Sequence, residues 1–202
     1  MRKQMAREFE KVYQFKVTLK GIRPPIWRRI QVPETYSFWD LHVAIQDAMG
    51  WTDSHLNNFE VENPQTGMVE EIGIPDEEGW GEIDILPGWD FKISEYFSST
   101  LKKARYIYDY GDDWEHDVRL EKILTRDPKS EYPLCIGGKR ACPPEDCGGV
   151  WGYYDFLEII MDPGHERYED MLEWGGEFDP EHFDMNEVHF DDPAERRKFV
   201  LH

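Results

Sequence analysis

Three cysteines fall in one short stretch of this chain, at Cys135, Cys142 and Cys147. The Cys-x4-Cys spacing of the last two is within the range that structural zinc sites use, where thiolates and imidazoles complete a tetrahedron. His116 on the neighbouring segment is the candidate fourth ligand. Three thiolates and one imidazole suit Zn²⁺ in a reducing compartment. Against this, Pro143-Pro144 stiffens the loop between the paired cysteines, and free thiols packed in a tight loop are the competing reading.

A second constellation is acidic. Asp109, Asp112, Asp113 and Asp117 sit on or beside a turn, and Glu145 and Asp146 sit in the cysteine loop. Oxygen ligands of this kind suit a hard ion such as Mg²⁺, and an ion with a base is sufficient for phosphoester hydrolysis. Asp112 with His116 is the simplest general-base pair. The candidate catalytic set is therefore Asp112, His116, Glu145 and Asp146, although no Ser or Cys nucleophile completes a triad. The competing readings are local. Carboxylates at turns bond back to their own backbone, and His116 shares a strand face with Trp114, Val118 and Leu120, where a hydrogen-bonded core histidine fits.

Gly148, Gly149 and Gly152 lead into a helix, whose first N–H groups can hold phosphate or carboxylate. Gly137-Gly138-Lys139-Arg140 could add counter-charge. The spacing is neither a Walker A loop nor a dinucleotide fingerprint, because no Gly-Lys-Ser/Thr follows and no strand immediately precedes it. The alternative is a close-packed loop that needs glycine for positive φ.

The elements that must position these groups follow from periodicity. Tyr13, Phe15, Val17 and Leu19 alternate with polar residues and predict a half-buried strand. IWRRIQV predicts a second strand, suited to a sheet edge behind Pro24-Pro25. Ser37 with Asp40 predicts a capped helix whose stripe is Leu41, Ala44, Ile45 and Ala48, ended by Gly50 with Trp51 folded back. FEVENPQTGMVEEI predicts a hairpin, followed by a long acidic surface excursion over 73–90 and a short helix over 93–98. Tyr106, Tyr108 and Tyr110 on one strand, and Trp114, His116, Val118 and Leu120 on the returning one, predict an aromatic hairpin. Residues 132–149 read as loop. Helices are expected from about Gly152 to Asp162 and over 165–174, with a docked extension or a short helix plus strand after them.

The chain resembles the plasmid ORF-three-like proteins, a family named after an open reading frame of a root-inducing plasmid. The resemblance rests on PPIWRRIQVP, TYSFWDLHVAIQDAMGW, SHLNNFEV, YIYDYGDDWEHDVRLEKIL, CIGGKRACPPEDCGG, GYYDFL and FDPEHFDMNEV, which span nearly the whole chain in the family's order. It implies a single mixed α/β domain with antiparallel strands and packed helices, and an association with mobile elements; it implies no particular reaction. Relatives often carry a second histidine at the position of Asn57, so this chain departs from any paired-histidine site with His55.

Composition bounds the rest. With 202 residues, 40 % hydrophobic and 14 % aromatic, the chain can bury its own core. The expected fold class is α+β, mainly antiparallel, as one compact domain over 12–202 behind a polar leader at 1–11. No run of eighteen apolar residues predicts a membrane helix, the N-terminus lacks a signal-peptide core, and an odd number of cysteines favours a reducing cytoplasm. The net charge of −19 repels nucleic-acid backbones and anionic lipid. A cation or a basic protein surface is the natural partner, and nucleic acid is left only to the basic N-terminal region. That basic start could also pair with the acidic end of the chain. Three function classes follow, in order: an interaction or ligand-binding domain with a groove beside the 106–120 hairpin and the 135–152 loop, a metal-dependent phosphoester hydrolase or nuclease, and a zinc-supported nucleic-acid-associated module.

Overall fold

Alternating apolar and polar residues lay down most of a single sheet. The computed structural model of the chain describes residues 9–75 and 84–200. Its strands are β1 (Lys11–Leu19), β2 (Trp27–Pro33), β3 (Asn57–Glu62), β4 (Val69–Gly73), β5 (Leu86–Pro87), β6 (Lys103–Tyr108), β7 (Trp114–Thr125) and β8 (Leu134–Lys139). They run in the order β5-β4-β3-β6-β7-β1-β2-β8, and every pairing is antiparallel except β4 with β5. The leader expected over 1–11 and the acidic excursion over 73–90 fall partly on residues 1–8 and 76–83, outside the described residues.

One sheet face carries the core. Phe15, Val17, Ile30, Phe59, Tyr106, Tyr108, Trp114, Val118 and Leu120 are buried there. Onto it packs α1 (Phe38–Met49), which buries all but one of its first nine residues. Its start is fixed as the sequence predicts. The Ser37 hydroxyl accepts from Asp40 N–H at 3.1 Å, and Asp40 accepts from Ser37 N–H at 2.9 Å. Gly50 ends it at φ +93°, a conformation without steric penalty only for glycine. The other helices are α2 (Ile93–Tyr96), α3 (Gly149–Met161), α4 (Tyr168–Gly175) and α5 (Pro193–Val200), with a 3-10 turn at Met185–Glu187. The product is a single compact α+β domain with a mixed, mainly antiparallel sheet and packed helices.

Two expectations are corrected. β2 is not an edge, because β8 pairs along it from Trp27↔Lys139 to Gln31↔Leu134. β8 arises inside the stretch read as loop, where Gly137 and Gly138 hide the strand pattern; a Cβ at Gly138 would lie 2.5 Å from the Phe183 ring. Of the two readings of the tail, the docked extension is met, with Phe178, Phe183, Val188 and Phe190 packed against the core, and no strand occurs there among the described residues. Among the described residues, the basic start does not pair with the acidic end. Lys20 pairs with Glu115 and Arg29 with Glu121, both on β7 and not on the acidic end. Arg28 is buried, giving hydrogen bonds to the carbonyls of Ala48, Trp27 and Lys139.

Candidate metal and ligand site

The connection from α1 to β3 ties the aromatic hairpin to the cysteine loop. Past Gly50 the chain turns back, and Trp51 N–H donates to Gln46 O at 3.2 Å. The Trp51 ring then stacks on Tyr108 at 5.0 Å and meets His116 edge-on at 5.4 Å, while its Nε1–H donates to Pro143 O at 2.9 Å. Thr52 and Tyr108 converge on one carboxylate. Glu145 accepts from Thr52 N–H, from the Thr52 hydroxyl and from the Tyr108 hydroxyl. Burial, reinforced by Glu145, pushes the Tyr108 hydroxyl far above its ordinary ionisation.

Beside this junction His55, Asp109 and Asp146 gather. One ligand atom from each lies within 4.8 Å of the others, the one such group of three among the described residues. His55 Nε2 is 3.1 Å from Asp146 Oδ1 and 3.7 Å from Asp109 Oδ2. That nitrogen is buried and makes no hydrogen bond. Asp109 and Asp146 both hold left-handed backbone, at φ +59° and +58°. Such backbone in non-glycine residues costs energy and clusters at functional sites, although Asp is among the most tolerant residues. The other oxygen of Asp109 accepts Gly111 N–H at 2.9 Å, which fixes the carboxylate. His55 also lines a cavity of about 450 Å³, shared with Thr52, Asp53, Ser54, Leu56, Ile74, Arg196 and Phe199.

A second histidine stands behind the cavity. His42 Nε2 is 2.7 Å from Asp53 Oδ1, and its Nδ1 is 2.7 Å from the Tyr106 hydroxyl, which also accepts from Gln46 Nε2 at 2.8 Å. A carboxylate only accepts, so the consistent tautomer carries its proton on Nε2 and accepts a hydrogen bond from the Tyr106 hydroxyl at Nδ1. Burial raises the Tyr106 ionisation well above its ordinary value. All four side chains lie in the core. Asn57 Nδ2 approaches His42 at 3.4 Å; position 57, where relatives often carry a second histidine, therefore faces this buried chain.

The sequence-derived candidates separate. His116 is fully buried with its Nε2 unbonded, and burial lowers its ionisation to about 4. Asp112 points elsewhere, accepting Gly148 N–H at 3.1 Å. Glu145 and Asp146 do reach the same junction, one at Thr52 and Tyr108, the other at His55. The proposed catalytic set of Asp112, His116, Glu145 and Asp146 is thus not one cluster. Cys135, Cys142 and Cys147 with His116 do not form a group of ligand atoms within 4.8 Å either. Burial drives all three thiols up, Cys147 to about 12. The glycine cradle is filled from within. Asp112 takes the Gly148 N–H, and a Cβ on Gly149 would lie 2.4 Å from Asp112 O and one on Gly152 1.8 Å from Cys147 O.

Sequence reasoning missed His42, Asp53 and the role of His55. His42 follows the apolar stripe position Leu41 and carries no spacing signal of its own. His55 stood inside a family motif, and only its neighbours in space reveal what it faces.

Residues 11–187 match the family described as plasmid pRiA4b ORF-3-like protein. The chain belongs to that family. It is 39 % identical over 168 residues to the uncharacterized protein y4hQ of Sinorhizobium fredii, spanning 83 % of this chain and 82 % of the relative. It is also similar to the crystal structure of MM3350, a protein of unknown function from Methanosarcina mazei, with 52 % identity and a TM-score of 0.84 over 91 % of this chain and all of that one. The pRiA4b ORF-3-like match includes His42, Asp53, His55, Asp109 and Asp146. It ends before α5, which brings Arg196 and Phe199 to the cavity.

Proposed function

We propose that this protein is a ligand-binding domain in which His55, Asp109 and Asp146, where the 106–120 hairpin meets the 135–152 loop, hold a divalent cation beside the cavity that His55 also lines. The observation that carries this reading is the buried, unbonded Nε2 of His55 facing two carboxylates. A buried nitrogen left without a hydrogen bond costs about 1–3 kcal/mol, and a cation coordinated by all three groups would remove that cost. One nitrogen and two oxygens favour Zn²⁺ or Mn²⁺ over Mg²⁺, which prefers oxygen alone.

Three side-chain ligands leave a coordination position for water or ligand, as catalytic zinc sites do. That observation favours a second reading, metal-dependent phosphoester hydrolysis at this cluster rather than at Asp112 and His116. Titration calorimetry with Zn²⁺, Mn²⁺ and Mg²⁺ tests the proposal. One cation is expected per chain, with affinity falling at least about tenfold in His55→Ala, as loss of one ligand requires. A wild-type chain that takes up none of the three ions, or a His55→Ala variant that binds them equally well, would end it. Cation-dependent cleavage of a simple aryl phosphodiester would favour the hydrolase.

A further inference from the structure

On the far side of the cavity, Asp47 and Asp53 are both removed from water, with side-chain exposures of 5 % and 0 %. They come from α1 and the connection after it, inside the family-matched residues. Two buried carboxylates require a cation, and Arg196 of α5 supplies one. It seats itself incompletely. Nη2 donates to Asp47 Oδ1 and to the exposed Asp191 at 2.6 Å each, but Nη1 stops 3.6 Å from Asp53 Oδ2. That oxygen is buried and has no hydrogen bond. His42 holds the other Asp53 oxygen at 2.7 Å, so the carboxylate cannot swing to meet Arg196.

The element that carries Arg196 is lightly attached. None of the described α5 side chains is buried, and Phe199 is 83 % exposed. Besides Arg196, α5 and the residues leading into it are held by Trp39 Nε1–H to Pro193 O at 2.8 Å, by Asp191 N–H to Asp47 Oδ2 at 2.9 Å and by Arg197 over the Trp89 ring.

We propose that Asp47 and Asp53 form a receptor for a guanidinium group on an arginine-bearing segment of a partner protein, and that Arg196 fills it in cis. An arginine free of the α5 tether could satisfy Asp47 and Asp53 together, in the forked geometry that guanidinium and not ammonium provides. The surrounding charge of −19 draws basic segments toward the site. This inference does not depend on a cation at His55.

The test is fluorescence anisotropy with a labelled Gly-Ser peptide carrying one arginine, and its lysine counterpart. Each is titrated into the full-length wild type, Arg196→Ala, Arg196→Lys and Arg196→Ala/Asp53→Asn. The arginine peptide should bind Arg196→Ala at least about tenfold more tightly than wild type, and the lysine peptide about tenfold more weakly than the arginine one. Adding Asp53→Asn should cancel the gain. Thermal unfolding checks that each variant is folded; if Arg196→Ala is not, Arg196→Lys keeps a charge in place and carries the same comparison. Equal binding of the two peptides, or no difference between wild type and the Arg196 variants, would overturn the receptor and leave Arg196 as an internal strap. Because no divalent ion enters the assay, these outcomes are separate from those of the calorimetry.

Discussion

Two histidine–aspartate groupings flank the 51–56 connection, and they differ in how much of their bonding capacity is used. In the inner one, both His42 nitrogens are bonded at 2.7 Å, to Asp53 and Tyr106, and Gln46 closes the chain. In the outer one, His55 Nε2 faces Asp109 and Asp146 at 3.7 and 3.1 Å without a hydrogen bond, and Asp146 is 70 % exposed. A network that bonds both nitrogens of its histidine rigidifies a low-dielectric interior, even though Asp53 Oδ2 and Gln46 Oε1 at its margins lack hydrogen bonds. A partly filled one beside a cavity keeps acceptors available for a ligand. The same residue types therefore serve stability in one place and binding in the other.

The sharpest break of that contrast is His42→Ala. It leaves Asp53 buried without its nearest partner, and removing one member of a buried pair costs about 3–5 kcal/mol. Urea unfolding should show a loss of that size, while His55→Ala should change stability by less than about 1 kcal/mol. A His42→Ala variant as stable as wild type would mean that the inner pair does not hold the fold.

His116 sharpens the comparison from a third environment, buried yet without a carboxylate. Burial lowers its ionisation to about 4, below the unfolded value of about 6.5. Between those values the unfolded chain binds more protons, so stability rises with pH there. The contribution is full above about pH 6.5 and lost as pH falls toward about 4, on the order of 3 kcal/mol in total. His116→Gln should flatten the unfolding free energy between about pH 4.5 and 6.5. An unchanged slope in that variant would show that His116 is not held neutral by its surroundings.

What was legible in the sequence was what local rules encode. Ser37, Asp40 and Gly50 bound α1 because caps are read within a few residues. Tyr106, Tyr108, Trp114 and His116 pair as Tyr106↔His116 and Tyr108↔Trp114 because alternation sets which side chains face the core. Tyr110 marks the limit of that pattern, since β6 ends at Tyr108 and Tyr110 is 47 % exposed. β8 was not legible, because its glycines carry no alternation. The candidate site was only partly legible. Asp146 and the 106–120 hairpin were in view, but His55 meets Asp109 and Asp146 through contacts between distant parts of the chain, which no spacing encodes. The cysteines attracted attention by spacing alone, and their sulfurs do not gather with His116 into a group of ligand atoms within 4.8 Å.

The smallest effect separates a backbone role from a charge role at Asp146. Its φ of +58° is one that an L-residue adopts at a cost and glycine adopts freely. If the residue were present only to make the turn, Asp146→Gly would be harmless to every property of the protein. Its carboxylate, however, lies 3.1 Å from His55 Nε2 and is largely exposed. An exposed pair of this kind adds at most about 1 kcal/mol to folding, a loss that relief of left-handed strain offsets. Asp146→Gly should therefore unfold within about 1 kcal/mol of wild type and still bind divalent cation about tenfold more weakly in calorimetry. Unchanged cation affinity would reduce the cluster to His55 and Asp109, too few ligands for a closed divalent site. A marked fall in stability would instead place Asp146 with His42 and Asp53, among the residues that hold the fold.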